Sequence, residues 1–317
     1  MKNLVYLSIF AVAIIAITGF SSASAISVVA TIPVGAYPHG VAYDSGKKEI
    51  FVTDQATKDV SVISDATNKV VANITAGTVP MGAAYDSAKK EMFVTNVGSN
   101  SVSVINDTTN KVVKTITVGT APNAAAYDSA KKEMFVTNEN SNNVSVISDA
   151  TNTVVATIPV GKFANGVAYD SAKKEMFVTN ALSNSVSVIS DATNTVVKTI
   201  LVSNTPYGIA YDSAKKEMFV ADQGSNNTSV INDTTNKVVQ TIHNVGYAPS
   251  GVAYDSSTKE IFVTNFGFDT VSVISDATNT VVATITVGPV PEGIAYDSAK
   301  KEIFVANTGS NSISVLH

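Results

Sequence analysis

The sequence predicts an all-β fold, a seven-bladed β-propeller, and two observations support that prediction. The first is a repeat, because residues 126–138, AYDSAKKEMFVTN, have six near copies along a chain of 317 residues. The tyrosines that mark the copies are 42, 42, 42, 42, 43 and 42 residues apart, and they are Tyr43, Tyr85, Tyr127, Tyr169, Tyr211, Tyr254 and Tyr296. The second is composition, because runs of Val, Ile and Thr separated by Gly, Asn and Asp are typical of strands and tight turns. A period near forty with such content indicates propeller blades.

Four strands are predicted in each repeat, and the third repeat illustrates them. Strand A covers residues 124–127, which are small and apolar as the crowded strand nearest the axis requires. Strand B covers 133–137, and strand C covers 144–148, where Val and Ser alternate between the two faces. Strand D covers 154–160. Each repeat is therefore expected to form one four-stranded antiparallel blade.

Two turn signals separate these strands. Asp128 begins the A to B turn, where its carboxylate can accept hydrogen bonds from backbone N–H groups two residues further on. Asn152 ends the C to D turn and tolerates the left-handed conformation that a tight hairpin needs. The Lys-Lys-Glu of the A to B turn is expected to form a solvated rim, because acidic residues flank each lysine pair.

The ring is predicted to close through its N-terminal strand. The chain has seven A, B and C strands but ends in a strand C at residues 312–316, with no D strand after it. Residues 27–34, ahead of the first repeat, have the sequence of a D strand. This segment is therefore expected to be the outermost strand of the last blade, which hides two sheet edges. In the one longer repeat, the extra residue within 241–246 is expected to form a bulge on the outer strand.

Residues 1–25 lie outside the repeats and are predicted to be a secretory signal peptide, which leaves residues 26–317 as a single propeller domain. Lys2 precedes an apolar run from Leu4 to about Phe20, and the small residues after it include Ala23-Ser24-Ala25, an Ala-x-Ala cleavage signal. The alternative is an uncleaved membrane anchor, since the run approaches the ~17 residues that can just cross a bilayer. The immediate start of blade sequence favours the signal peptide. We therefore expect an exported protein with no membrane span after cleavage.

Charge and cysteine content exclude several classes of function. The net charge is -5, and all 21 basic residues are lysines. Arginine is the residue best shaped for bidentate contacts to phosphate and guanine, so sequence-specific nucleic-acid binding is not expected, and the acidic balance also opposes single-strand binding. The absence of cysteine excludes disulfides, thiolate metal sites and thiol catalysis.

The amino-acid sequence of the repeats resembles that of a known family. Phe-Val-Thr-Asn at 93–96, 135–138, 177–180 and 262–265, together with DATNTVVATIPVG at 149–161, is similar to the YVTN-type β-propeller repeat of archaeal surface-layer and bacterial periplasmic proteins. The resemblance implies a seven-bladed propeller outside the cytoplasm. It does not imply one activity, because this architecture hosts surface scaffolds, binding proteins and a few lactonase-like or lyase-like enzymes.

Positions that vary among the repeats are the candidates for function. The loops from D to A and from B to C share the face where the channel opens, and ligands commonly bind there. Aligning the residues before strand A and at the end of strand B predicts a polar ring around one channel mouth. Its members are His39, Asp54, Asn123, Glu139, Asn165, Tyr207, Asp222 and Glu292. The ring indicates a ligand or weak metal site, and the alternative is sequence drift at exposed loop positions.

Two functions remain open from the sequence. The first is a non-enzymatic, monomeric scaffold that binds a protein or polysaccharide partner at the cell surface. The second is an exported lactonase-like hydrolase or lyase in which His39 acts as general base with Glu292 or Asp54. No cofactor is expected, although the oxygen-rich ring could hold a divalent cation such as calcium. A zinc site is not expected because clustered His or Cys ligands are missing.

Overall fold

Seven four-stranded antiparallel sheets form a closed ring in a computed structural model of the chain, which describes residues 26–317. The inner strand of each sheet contacts the inner strands of both neighbouring sheets, and the first contacts the last. This confirms the predicted seven-bladed β-propeller. The predicted signal peptide, residues 1–25, lies outside the described residues. Within the described part, no helix is long and apolar enough to span a bilayer.

The first strand, β1 (Val28–Pro33), precedes blade 1, and each later blade runs from its inner to its outer strand. Blades 1 to 3 are β2 (Pro38–Asp44), β3 (Glu49–Asp54), β4 (Asp59–Ser64) and β5 (Lys69–Thr75); β6 (Pro80–Asp86), β7 (Glu91–Asn96), β8 (Ser101–Asn106) and β9 (Lys111–Thr117); β10 (Pro122–Asp128), β11 (Glu133–Asn138), β12 (Asn143–Ser148) and β13 (Thr153–Pro159). The observed strands lie within two residues of the predicted bounds in the third repeat.

The remaining blades follow the same pattern. Blades 4 to 6 are β14 (Ala164–Asp170), β15 (Glu175–Asn180), β16 (Ser185–Ser190) and β17 (Thr195–Leu201); β18 (Pro206–Asp212), β19 (Glu217–Asp222), β20 (Asn227–Asn232) and β21 (Lys237–Ile242); β22 (Pro249–Asp255), β23 (Glu260–Asn265), β24 (Thr270–Ser275) and β25 (Thr280–Thr286). Blade 7 consists of β26 (Pro291–Asp297), β27 (Glu302–Asn307), β28 (Ser312–Leu316) and, as its outermost strand, β1.

Closure by the N-terminal strand is confirmed. Strand β1 pairs antiparallel with β28, and Ile32 lies opposite Ile313 in that ladder. Two backbone hydrogen bonds of 3.1 Å between Ser27 and His317 extend the pairing beyond the strands. The buried Ile32 side chain belongs to a core cluster that includes Phe304. The N-terminal strand therefore contributes both a ladder and core packing to the last blade.

The hydrophobic core lies between blades, because each sheet buries both of its faces. Phe135 of strand B packs with Met176 and Val178 of the next blade. Its neighbours Met134 and Val136 point to the opposite face and pack against the preceding blade. This explains why strand B reads as a continuous apolar run, since side chains alternate between two buried faces.

The turns form as the sequence predicts. Asp128 Oδ1 accepts hydrogen bonds from the N–H groups of Ala130 at 2.8 Å and Lys131 at 3.0 Å. Asn152 has the left-handed conformation with φ of 51°. Because consecutive strands of a blade are antiparallel, the A to B and C to D turns lie on the face opposite the D to A and B to C loops.

The predicted bulge in the longer repeat is wrong. Strand β21 pairs with β20 with the same irregularity, between Val230 and Ile231, that the other outer strands have at the corresponding position. The strand ends at Ile242, and the extra residue lies in the connection that follows. Asn244 is left-handed there, with φ of 56°. An asparagine adopts this conformation at low cost, so the loop absorbs the insertion and the ladder stays in register.

Candidate functional site

The inner strands surround a central channel with a cavity of about 160 Å³. Every blade contributes to its wall, and six of the seven contribute a polar side chain from the second residue of the inner strand. In order around the channel, these residues are His39, Asn123, Asn165, Tyr207, Ser250 and Glu292. Together with Glu139, whose contacts are described below, they are called the mouth ring.

Close packing of the inner strands places the ring residues. The third residue of the inner strand is glycine in six of the seven blades, and a Cβ atom at Gly40 would overlap with the Met81 carbonyl oxygen of the next blade. Threonine hydroxyls of strand B fix several of these carbonyls across the blade boundary. Thr53 Oγ1, for example, donates to the Met81 carbonyl at 2.6 Å. The backbone of the ring is thus held rigidly between blades.

Glu139 joins two blades at the mouth. Its Oε1 atom accepts hydrogen bonds from Asn123 Nδ2 at 2.5 Å and from Asn165 Nδ2 at 2.8 Å. Both asparagines are at least 95% buried. Burial raises the pKa of Glu139, although the asparagine hydrogen bonds and the charge of His39 act in the opposite sense. Glu139 therefore presents a partly buried carboxyl group with a second oxygen directed away from this amide pair.

His39 and Glu292 form the second polar pair of the ring. Their Nε2 and Oε2 atoms are 2.6 Å apart, and 12% and 15% of the two side chains are exposed. Burial disfavours the imidazolium ion and would lower the pKa of His39. The hydrogen bond and charge of Glu292, with a further contribution from Glu139, outweigh burial and raise this pKa. The contact with Glu292 therefore increases the affinity of the His39 imidazole for a proton.

Tyr207 and Ser250 complete the ring between these two pairs. Burial raises the pKa of the Tyr207 hydroxyl to about 12, and the charges of Glu292 and Glu139 act in the same sense. The phenol therefore stays protonated and can donate a hydrogen bond at neutral pH. Only 3% of Ser250 is exposed. The channel mouth thus combines hydrogen-bond donors and acceptors with one histidine and two carboxyl groups.

Two predicted ring members, Asp54 and Asp222, do not line the channel. Both are fully buried within their blades, where Asp54 Oδ2 accepts a hydrogen bond from Ser61 Oγ at 2.7 Å and Asp222 Oδ2 accepts one from Ser229 Oγ at 2.6 Å. Each is the last residue of strand B, whose side chain points into the blade, whereas the following residue, such as Glu139, points to the mouth. Desolvation raises the pKa of both carboxyls to about 7.

The sequence prediction also omitted one polar member of the ring. Ser250 occupies the same aligned position as the predicted residues, so variation at that position was a sufficient signal. Among residues 26–317, no three histidine, aspartate or glutamate side chains are grouped as metal ligands would be. The mouth is a hydrogen-bonding site in which a histidine contacts a carboxyl group.

Comparisons with known proteins support the fold. No protein-family model matches the chain, and no curated protein sequence matches it with significant similarity. Among solved structures, the chain is similar to Kuenenia stuttgartiensis hydrazine synthase, with a TM-score of 0.80 and 18% sequence identity over 94% of this chain and 98% of that one. A likeness at this identity shows the propeller fold alone. The YVTN type of the repeats stays a prediction from the sequence.

Proposed function

We propose that this protein is an exported, non-enzymatic β-propeller that binds a polar ligand or partner at the channel mouth. The observation that supports this most strongly is the convergence of the ring. Glu139 connects Asn123 and Asn165, and Glu292 contacts His39, so polar groups from blades 1, 3, 4 and 7 meet at one opening. Concave sites with a few fixed polar groups are where propellers and other folds commonly bind ligands.

The role as a cell-surface or extracellular scaffold rests on the predicted signal peptide and on the resemblance to YVTN repeats. A closed ring of blades offers a rigid support for such a site, because its side chains are fixed by packing rather than by flexible loops. A protein or polysaccharide partner suits this location. We propose a monomer without a resident cofactor, and calcium remains a ligand to be tested because the ring carries two carboxyl groups.

A thermal-shift screen of residues 26–317 tests the proposed function. The ligands are divalent cations, mono- and oligosaccharides, lactones and short peptides. A ligand at one hundred times its dissociation constant should stabilise the fold by ~2.7 kcal/mol, which a melting curve detects. We expect the shift to disappear in Glu139→Gln or Glu292→Gln. A shift that persists in both variants would place the ligand elsewhere and contradict the proposal.

A hydrolase remains the second candidate, because the 2.6 Å contact between His39 and Glu292 has the geometry of a general acid–base pair. Glu292 raises the pKa of His39, so a role as general base requires a working pH at which the imidazole is unprotonated. Hydrolysis of p-nitrophenyl acetate and of γ- and δ-lactones by the parent protein and by His39→Ala decides between the candidates. Equal rates for the two proteins would remove His39 as a catalyst.

A further inference from the structure

Blade 6 departs from the repeat at one corner of the mouth face. Tyr247, Phe266 and Phe268 are 54%, 40% and 63% exposed, and we call these three residues the aromatic corner. Tyr247 belongs to the loop that enters blade 6, and the two phenylalanines belong to its B to C loop. Backbone hydrogen bonds of 3.1 Å from Phe266 N to Ala248 O and from Gly267 N to Tyr247 O hold the two loops together.

The other six blades have no such group. The residues that correspond to Phe268 all carry a hydroxyl group, and they are Thr57, Ser99, Ser141, Ser183, Ser225 and Ser310. Several of these hydroxyls accept a hydrogen bond from the adjoining loop, as Ser141 Oγ does from Thr120 N at 2.6 Å. The fold therefore does not require an aromatic residue at this position. The exposed Phe268 side chain, at a position where the other six repeats have a small hydroxyl residue, indicates a binding role.

Three local features of blade 6 hold the rings of the aromatic corner in place. The ring centroids of Tyr247 and Phe268 are 5.5 Å apart with an angle of 41° between the ring planes. A Cβ atom at Gly267 would overlap with the Tyr247 ring, so glycine is needed for the ring to lie against this loop. The single inserted residue of the whole repeat array lies just before Tyr247, within 243–246. The insertion and the aromatic residues thus occur together at one blade boundary, where Gly267, a glycine that blades 2, 5 and 7 also have at this position, leaves room for the Tyr247 ring.

The corner is continuous with the mouth ring. Phe266 corresponds in blade 6 to Glu139 in blade 3, and Glu139 contacts the ring residues of its own blade and of the next. By the same repeat geometry, we expect Phe266 to lie beside the ring residues of blades 6 and 7, Ser250 and Glu292. A ligand on the aromatic corner would therefore reach the hydrogen-bonding groups of the channel mouth.

We propose that the aromatic corner stacks the pyranose rings of a saccharide chain whose hydroxyl groups are bound by the mouth ring. This inference rests on the proposed function, since it names the ligand class of that site. A pyranose presents polarised C–H groups on its face, which pack on the electron-rich face of an aromatic ring, and hydroxyl groups at its edge. The three aromatic rings suit the C–H face of a pyranose, and the polar groups of the mouth ring suit its hydroxyl groups. A stable protein partner would need a contact of ~800 Å² with an apolar centre, which three rings alone do not supply.

Titration calorimetry of residues 26–317 with chitohexaose, cellohexaose and mannohexaose tests this inference. The variants are Phe268→Ser and Tyr247→Thr, which install residues found at the corresponding positions of other blades, so both should fold. We expect the Kd of the bound saccharide to rise by about tenfold or more in each, with the melting temperature nearly unchanged. Leu182→Ser is the matched control, because Leu182 is 69% exposed on the same face of blade 4. This control should bind like the parent.

The outcomes separate the inference from the proposed function. Binding that is weakened by Glu292→Gln but not by Phe268→Ser would overturn the aromatic corner and leave the mouth ring in place. Binding that is weakened by Phe268→Ser but not by Glu139→Gln or Glu292→Gln would support the corner and overturn the ring as a binding site. Failure of the parent protein to bind any of the three saccharides at millimolar concentration, with or without capture of a protein partner, would overturn the saccharide assignment.

Discussion

His39 of blade 1 contacts Glu292 of blade 7, with 2.6 Å between the imidazole Nε2 and a carboxylate oxygen. These blades are the first and the last along the chain, and they are neighbours because strand β1 closes the ring. The pair therefore exists only in the closed propeller. Ring closure and the chemistry of the mouth depend on the same tertiary contact.

Glu292→Gln should lower the pKa of His39, because the substitution removes the charge that outweighs desolvation of the imidazole. The pKa can be read from NMR titration of the three histidines, with His243 and His317 as internal references. Glu139→Gln should lower it less, since Glu139 contributes only a more distant charge. An unchanged His39 titration in Glu292→Gln would show that the pair does not form in solution.

The same pair predicts a pH dependence of stability. The pKa of His39 is raised in the folded state, so protonation favours folding. Its contribution is fully present below the unfolded histidine pKa of about 6.5 and is lost as the pH rises through the higher folded value. Urea unfolding measured between about pH 5 and about pH 9 brackets this titration. The free energies of unfolding of the parent and of Glu292→Gln should converge at high pH. Parallel stability curves across that window would contradict the prediction.

Asp54→Asn and Asp222→Asn should stabilise the protein above neutral pH. Desolvation raises both carboxyl pKa values from 3.8 to about 7, so the folded state is most favoured below the unfolded pKa and loses stability as the pH rises through about 7. That difference corresponds to about 4 kcal/mol per carboxyl once both states are ionised. Five blades already have asparagine here, as at Asn96, whose Nδ2 donates to Ser103 Oγ at 3.0 Å. The substitution therefore introduces a group that the blade accommodates.

Chemical denaturation at about pH 5 and about pH 8.5, one below and one above the folded pKa of about 7, measures the effect of these two substitutions. Asp269→Asn is the matched control, because Asp269 is exposed and its Oδ1 atom accepts a hydrogen bond from Val290 N that an asparagine can also accept. The control should change stability by less than about 0.5 kcal/mol at either pH. Equal effects of Asp54→Asn at both pH values would show that this carboxyl does not titrate near neutrality.

The repeat made the fold predictable, but local backbone geometry determines which side chains line the channel mouth. Seven copies of one strand pattern fix the number of blades, and a missing last strand identifies β1 as the closing strand. The sequence did not show which of two adjacent residues at the end of strand B faces the channel, Asp54 or Gln55 in blade 1 and Asn138 or Glu139 in blade 3. Adjacent residues there point to opposite sides, and both aligned positions vary among the blades. The place of the inserted residue depends on whether a longer loop or a bulge in the β20–β21 ladder costs less free energy. Tertiary contacts, rather than the sequence pattern, set that difference in free energy.

Lys58→Asn should stabilise the propeller by about 1 kcal/mol. Lys58 is left-handed, with φ of 60°, at a position where the other six blades have asparagine or aspartate. In blade 2, Asn100 Oδ1 accepts a hydrogen bond from Ala121 N at 2.9 Å, and a lysine side chain has no acceptor for the corresponding N–H group of Val79. Asparagine would supply the acceptor and reduce the backbone strain. Lys58→Ala separates this effect from the loss of charge, and equal stability of the two variants in urea would refute the explanation.

Ile32→Ala should destabilise the protein by about 2–5 kcal/mol, the usual cost of truncating a buried isoleucine. Only 3% of Ile32 is exposed, and its side chain packs in the cluster that joins blades 7 and 1. Val29→Ala in the same strand is the matched control, because 52% of Val29 is exposed and its truncation leaves no cavity. The midpoint of urea unfolding should fall in Ile32→Ala and change little in Val29→Ala. Since the closed ring also holds His39 against Glu292, the His39 pKa should fall toward its ordinary value under conditions that open the last blade of Ile32→Ala. A midpoint that is the same for both variants would mean that β1 does not close the ring in solution.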